Sequence, residues 1–330
     1  MSYSCSPVAY LSLILSQYEG LSAFHHQAIL QECSTVEELH GYLHSGKMRR
    51  ESSYQSTEDW KQALSKAQAI ITQARQHQVL LLCLLDDAYP PLLTEIPDPP
   101  QVLYVKGCLA SHLPSIACIG TRRPTQHGKN LAWRYAAVAA EQGFSIVSGL
   151  ATGVDAIVHQ QALSHGAHTV AVLPCGLEQV YPSHHCALAS QILDAGGTLV
   201  SEVPFGTPIE PHLFVRRNRI QSGLSLATLF VQGQIRSGTM HTARSAQEQN
   251  RPLLVAEPHK NHRNHRGFQG NLSLIVDAKS HPMIHPIASV SSLQSYLHKL
   301  PHPSKNRIEP LQKRSFLSCQ QPSIQRIRNA

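Results

Sequence analysis

The sequence predicts an α/β fold in which helices cover both faces of a parallel sheet, behind a small helical N-terminal domain. From residue 115 onward, short apolar runs alternate with segments whose apolar residues recur every three or four positions. Glycines follow several helical segments, where a residue with positive φ is often needed. Apolar runs without polar alternation indicate strands buried on both faces, and alternating strands and helices favour a parallel sheet.

Six strands and four helices are predicted in this region. The predicted strands cover 116–119, 145–147, 169–173, 198–201, 226–231 and 253–256. The predicted helices lie near 126–142, 153–164, 183–194 and 239–249. A further apolar strand is predicted at 79–85. Folds of this kind bind ligands at the carboxyl ends of their strands, so functional residues are expected in the strand-to-helix turns.

We expect three parts in the chain. Residues 1–77 have the spacing of a small helical (SAM-like) domain, and residues 78–285 form an extended Rossmann-like domain. Residues 286–330 form a basic, largely disordered tail without a clear winged helix. Beyond residue 300 the only acidic residue is Glu309. The basic residues there are Lys305, Arg307, Lys313, Arg314, Arg326 and Arg328.

Composition favours a cytoplasmic protein with a polyanionic partner over a secreted or membrane protein. A formal net charge of +7 and a pI near 9.0 favour a polyanionic partner. The 8 cysteines contain no CxxC pair, which is typical of reduced thiols in the cytoplasm. Neither a bilayer-spanning apolar run of about 20 residues nor a signal-peptide pattern is present. We therefore expect a cytoplasmic protein with no membrane partner.

The first turn has the features of an anion site. Gly120 would let the backbone approach a phosphate, Thr121 offers a hydroxyl group, and Arg122 and Arg123 offer guanidinium groups just before a helix N-terminus. The alternative is a solvated turn with surface arginines. The spacing to the next Gly-Lys pair does not fit a Walker A loop.

The second turn also joins a strand to a helix. Ser148, Gly149 and Gly153 fit phosphate binding, although their spacing lacks the GxGxxG fingerprint of dinucleotide sites. Asp155 and His159 are four residues apart on one helical face, which suits an Asp–His hydrogen bond that supports the loop. The alternative is an acid/base pair or a triad with Ser148.

An arginine-rich segment precedes the strand predicted at 226–231. Arg217, Asn218 and Arg219 lie in it, and arginines there would be costly to bury without anionic partners. Phosphate contact is predicted, and a solvated charged face is the alternative.

The last loop is predicted to be another anion cradle. Ser237, Gly238 and Thr239 place hydroxyl groups and a glycine at a helix start. Elsewhere, Tyr181 is a candidate either for stacking on a base or for capping the core. His259, His262 and His265 lie among basic residues without a nearby carboxylate, so no metal site is expected.

Together these segments resemble the DprA (Smf, DNA-processing) family over residues 80 to 280. The order and spacing of the matching stretches carry the resemblance: Asp87-Ala88-Tyr89-Pro90, Leu103-Tyr104-Val105-Lys106-Gly107, Gly120-Thr121-Arg122, 148–155 with His159, Ala171-Val172-Leu173 with Gly176, Tyr181-Pro182, Ser201-Glu202, 217–220 with Gly223-Leu224-Ser225, and Ser237-Gly238-Thr239 with Thr242-Ala243.

The resemblance implies a DNA-binding protein without catalysis and without a cofactor. It would bind and protect incoming single-stranded DNA during natural transformation, help load the RecA recombinase, and form a homodimer. The DNA pocket would use the glycine-rich strand ends, Arg122, and the segment from Arg217 to Arg219. The chain departs from the family pattern at Pro211, where relatives often carry a pocket lysine, and at Val215, where a proline is usual. It departs again at Gln232-Gly233, in place of Glu-Ala, and at Glu257-Pro258, in place of Pro-Gly.

Two other functions remain open. One is a nucleoside-monophosphate N-glycosidase similar to the "Lonely guy" proteins, which needs a carboxylate near the ribose. Here Thr239 is followed by Met240-His241-Thr242, and the first carboxylate is Glu248. The other is a degenerate paralogue that has lost strong DNA binding.

Overall fold

The computed structural model describes residues 5–18, 21, 23–45 and 57–301. The strands within these residues are β1 (Leu80–Cys83), β2 (Val102–Gly107), β3 (Ser115–Gly120), β4 (Ser145–Ser148), β5 (Thr169–Val172), β6 (Thr198–Ser201), β7 (Ala227–Gln232), β8 (Leu253–Ala256) and β9 (Ile284–Ile287). The α-helices are α1 (Pro7–Leu15), α2 (Ala23–Glu32), α3 (Val36–His44), α4 (Thr57–Gln76), α5 (Pro91–Thr94), α6 (Gln126–Glu141), α7 (Val154–Ser164), α8 (Cys186–Asp194), α9 (Pro211–Gly223), α10 (Gly238–Glu248), α11 (Gln269–Asp277) and α12 (Val290–Leu297).

The strands form one sheet in the order β1-β2-β6-β5-β4-β3-β7-β8-β9. Neighbours from β6 to β9 are parallel, whereas β2 is antiparallel to both β6 and β1. The predicted α/β class is confirmed, and β2 and β9 are strands that the sequence analysis did not predict. The chain order reverses between β3 and β7, which is the position where open α/β sheets form their ligand crevice.

Helices cover both faces of the sheet, and the central strands present apolar residues to both faces. In β3, Ile116 and Cys118 join a core with residues of α6, α7 and α12. Ala117 and Ile119 point to the opposite face, towards the cores that include α9 and α10. This burial on two sides explains why these strands are almost continuously apolar in sequence.

The N-terminal helices pack on the antiparallel edge of the sheet. Leu13 of α1 and Trp60 of α4 share one core with Leu81 of β1 and Tyr104 of β2. The helical character predicted for this part is confirmed, and its apolar side is covered by the sheet. None of the described helices combines the length and the apolar character needed to cross a membrane.

The α/β unit extends past its predicted end at residue 285. That position lies inside β9, which pairs with β8, and Leu293 and Leu297 of α12 are buried in the core beside α6. The expectation of a largely disordered region from residue 286 is therefore wrong as far as residue 301. Residues 302–330, where most of the predicted basic tail lies, are outside the described residues.

Substitution of Leu293 tests whether α12 belongs to this core. Leu293→Ala should lower the free energy of unfolding by about 2–5 kcal/mol, because it leaves a cavity beside α6. Val276→Ala is the matched control, since Val276 is 63% exposed and its loss should change stability little. Urea denaturation measures both, and equal effects would show that α12 is not a packed element.

Candidate functional site

The predicted turns meet at the carboxyl edge of the parallel strands, beside the position between β3 and β7 where the chain order reverses. Residues 121–125 follow β3, residues 149–153 follow β4, and residues 233–237 follow β7. Because β3 lies between β4 and β7, the three turns are neighbours in space. The helix α9 contributes the arginine-rich segment, which the sequence analysis had not predicted to be helical.

The first two turns are locked together by glycines. A Cβ atom at Gly120 would lie 2.4 Å from Cγ2 of Val154, and one at Gly153, which has φ +84°, would lie 2.5 Å from the Thr121 carbonyl oxygen. The Val154 N–H donates to that same oxygen at 3.2 Å. Contact between the two turns therefore requires glycine at both positions.

Asp155 braces the second turn from below. Its Oδ2 accepts hydrogen bonds from the backbone N–H groups of Gly149 at 3.1 Å and Ala151 at 3.3 Å. Burial raises the pKa of this carboxyl group, and the Arg217 guanidinium opposes the shift. Within the described residues, the N–H groups of Thr152 and Gly153 donate to no acceptor, so they remain available to an anion.

Arg217 lies beneath this turn and is almost completely buried. The residue is 5% exposed, and its Nη1 donates to the carbonyl oxygens of Gly149, at 2.8 Å, and of Val172. A Cβ atom at Gly149 would lie 2.6 Å from Nη1, so the glycine makes room for the guanidinium. Burial lowers the pKa of Arg217 to about 10. Its guanidinium positions the turn after β4, and the expected phosphate contact of Arg217 stays a prediction.

Arg219 is also occupied by partners within the protein. Its Nη1 and Nη2 donate to Oε1 and Oε2 of Glu202 at 2.9 and 2.8 Å, and its Nε donates to Asp98 at 2.8 Å. The side chain is 13% exposed. Its predicted role in DNA binding is not supported, because these carboxylates supply the anionic partners that the arginine needs. Asn218 is buried, and its Nδ2 donates to the Gly238 carbonyl oxygen at 3.4 Å, which ties α9 to α10.

The possible triad at the second turn does not form. The Ser148 hydroxyl is buried and donates to the Cys118 carbonyl oxygen at 2.7 Å. Nδ1 of His159 lies 2.7 Å from Oγ1 of Thr169, whose own proton goes to the Ile146 carbonyl oxygen. His159 therefore donates through Nδ1 to β5, and the expected Asp155–His159 hydrogen bond is wrong. Through this bond His159 is tied to β5, and its predicted role in supporting the loop after β4 stays a prediction.

An exposed cation and two aromatic rings meet above the turns. Cζ of Arg122 lies 5.4 Å from the centre of the Phe214 ring, and the Tyr181 ring meets Phe214 edge-on at 5.1 Å. Arg122 is exposed, Phe214 is half-buried, and Tyr181 is 38% exposed. Sequence reasoning missed Phe214, although an aromatic residue three positions before Arg217 was a signal for this cluster.

The remaining predicted residues lie on the rim of the same edge. Arg123 is exposed, and its N–H donates to Oγ1 of Thr121 at 3.2 Å. Ser237 precedes α10 without capping it, because its hydroxyl donates to the Gln234 carbonyl oxygen at 2.7 Å. Gly238 is exposed and Thr239 half-buried in the first turn of α10. Among the described side chains, no group of three or more His, Cys, Asp or Glu residues is placed to hold a metal ion.

The chain is similar to proteins of one family. The profile of the DNA recombination-mediator protein A family matches residues 80–288. The Smf protein of Synechocystis is 42% identical over 173 residues, which are 51% of this chain and 43% of that protein. The DNA processing protein DprA of Bacillus subtilis is 34% identical over 197 residues, or 59% and 66% of the two lengths. The chain therefore spans about half the length of the curated relatives that it matches.

Two solved structures have the same fold. DNA processing protein A of Helicobacter pylori, whose structure concerns its binding of single-stranded DNA, matches with a TM-score of 0.59 and 28% identity over 68% of this chain and 98% of that one. The Streptococcus pneumoniae DprA structure has a TM-score of 0.64 at 22% identity, covering 86% and 99%. The second similarity supports the fold alone.

The buried imidazole of His159 predicts a pH-dependent stability. Burial lowers the pKa of His159 to about 3, whereas an unfolded chain binds this proton near pH 6.5. Between these values the unfolded state holds more protons, so the free energy of unfolding should fall as pH falls, by about 1.4 kcal/mol per pH unit for this group. His159→Gln should remove that contribution. Urea denaturation at pH 7.5, 6 and 5 measures the slopes, and parallel curves for the two proteins would contradict the prediction.

Proposed function

The chain belongs to the DNA recombination-mediator protein A family, and from this premise we propose that it binds single-stranded DNA at the surface formed by Arg122, Phe214 and Tyr181. The observation that carries the proposal is the exposed cation–aromatic cluster above two interlocked turns. The similar protein from Helicobacter pylori is described as binding single-stranded DNA, which supports the same ligand here.

The chemistry of the cluster fits a single strand better than a duplex. Unpaired bases expose their faces for stacking on Phe214 or Tyr181, whereas bases in a duplex are already stacked on each other. Arg122 and the free N–H groups of Thr152 and Gly153 can take the phosphate of the same nucleotide. No base edge needs to be read, so we expect binding that tolerates any sequence and depends on salt.

The wider biological role is part of the proposal. We propose that the protein is cytoplasmic, protects incoming DNA in natural transformation, assists RecA loading and acts as a homodimer. The three-part organisation belongs to the same proposal, with the α/β unit extended to include α12. The support is membership of the family and the resemblance of the chain's motifs to it.

Catalysis is not part of the proposal. The Ser148 hydroxyl is committed to a backbone carbonyl, and the Asp155 carboxylate is buried and bonded to two N–H groups. Neither is free to act as a nucleophile or a general acid. A glycosidase would also need a carboxylate beside the sugar, and Glu248 lies at the far end of α10 from the site.

Two substitutions separate the stacking and ionic contributions. Phe214→Ala should weaken binding of a single-stranded oligonucleotide by about 1–3 kcal/mol with an unchanged salt slope, because it removes stacking. Arg122→Ala should weaken binding and reduce the slope of log K against log salt by about 0.7, the value for one phosphate contact on a single strand. Fluorescence anisotropy at several salt concentrations measures both.

Val215→Ala is the matched control, because Val215 is exposed on the same helix and outside the cluster. It should bind as the unchanged protein does. If the unchanged protein binds neither single-stranded nor duplex DNA at low salt, single-stranded DNA is ruled out as the ligand. The two remaining functions are then a degenerate paralogue and a nucleoside-monophosphate N-glycosidase. Release of free base from nucleoside monophosphates would then identify the glycosidase.

A further inference from the structure

A histidine-rich basic loop lies beside the proposed DNA site and takes no part in it. It comprises residues 259–266, with the sequence HKNHRNHR, and joins β8 to α11. Lys260, Arg263 and Arg266 are all exposed. A loop with this much positive charge attracts anionic partners. Its position relative to the DNA site decides whether the same DNA strand can reach it.

The loop is held in a defined place against the start of α6. The ring of His262 stacks on the ring of His127 with centres 4.3 Å apart and an angle of 15° between planes. The His259 N–H donates to Nε2 of His127 at 3.3 Å. Behind this contact, the buried Phe268 lies 5.5 Å from the His127 ring. The basic side chains therefore extend from a fixed backbone.

Gln232 joins this loop to the first turn of the DNA site. Its Oε1 accepts the Thr125 N–H at 3.0 Å, and Thr125 caps α6. On its other side, a Cβ atom at Gly267 would lie 2.6 Å from Nε2 of Gln232. Gly267, which directly follows the basic loop, and the turn that carries Arg122 therefore both pack on Gln232, and the two surfaces adjoin.

The positive charge of the loop is largely uncompensated. Arg263 faces Glu257 at 4.0 Å, an exposed and weak pairing. Lys260 and Arg266 form no ion pair with any described residue. The stacked rings of His127 and His262 lie nearly parallel, which prevents their nitrogen atoms from converging on a metal ion. A polyanion fits this surface better than a cation.

We propose that the basic loop is a second contact surface for the same DNA strand, which leaves the Arg122–Phe214 cluster, crosses the start of α6 and lies along Lys260, Arg263 and Arg266. The inference rests on the proposed function. The partner is the phosphate backbone of a single strand longer than the cluster alone can hold, so contact with the loop depends on strand length.

Oligothymidylates of two lengths test this separation. The variant Lys260→Gln/Arg263→Gln/Arg266→Gln should bind a strand of about 25 nucleotides at least tenfold more weakly than the unchanged protein, with a salt slope lower by up to about 2. Its affinity for a strand of about 6 nucleotides should stay within twofold. Arg122→Ala should weaken the binding of both strands.

A variant with the same loss of charge serves as control. Lys61→Gln/Lys66→Gln/Arg75→Gln changes three exposed residues of α4, on the N-terminal helices. It should bind both strands as the unchanged protein does. Thermal unfolding of each variant checks that the fold is intact.

The outcomes distinguish this inference from the function on which it rests. If the unchanged protein binds neither strand, both fail together. If the protein binds both strands but the loop variant keeps its affinity for the long one, the loop does not contact DNA, and the inference fails while the proposed function stands. If the loop variant and the α4 variant weaken binding of the long strand equally, the effect is one of overall charge. If the loop variant weakens binding of both strands equally, the loop belongs to the first site. Either result overturns the inference.

Discussion

The functional edge depends on the buried charges of Arg217 and Asp155, which hold one turn from two sides. Asp155 accepts N–H groups of the turn after β4, and Arg217 donates to a carbonyl group of the same turn and to the end of β5. Each charge offsets the cost of burying the other, and loss of one would leave the other unpaired in the interior. With this turn fixed, Gly153 and Val154 fix the turn after β3, and the direction of Arg122 follows.

The arginines of the candidate site divide into those whose side chains are held by the protein itself and those that face the solvent. Nη1 of Arg217 donates to two backbone carbonyl groups, and the guanidinium of Arg219 donates to the carboxylates of Glu202 and Asp98. Arg122 and Arg123 lie in the turn after β3 and are exposed to the solvent. Net positive charge alone therefore does not mark the binding surface, because a guanidinium group already paired with Glu202 attracts phosphate far less than a free one.

The departures from the family pattern have separate physical roles. Gln232 is fully buried and connects the cap of α6 with the loop that follows β8, so it is a structural element of this chain. Pro211 begins α9, where a proline suits the first helical turn, but it offers no charge to a ligand. If DNA binds here, cations must come from elsewhere, and Arg122, Arg123 and the loop after β8 are exposed in the same region.

The sequence by itself determined the parallel sheet, the N-terminal helices and the turns in which the site lies. Burial on both faces makes the strands apolar, and glycines mark the places where backbones touch, so both leave local signals. Only the tertiary structure decided that Arg219 pairs with Glu202 and Asp98, that His159 bonds to Thr169 and not to Asp155, and that Phe214 meets Arg122. These contacts join residues of different elements of the fold, and residue type does not specify whether a charge faces a carboxylate or the solvent. The strand β9 was not predicted for a related reason. Its four residues, IHPI, include one histidine and one proline, and they form a strand because they pair with β8.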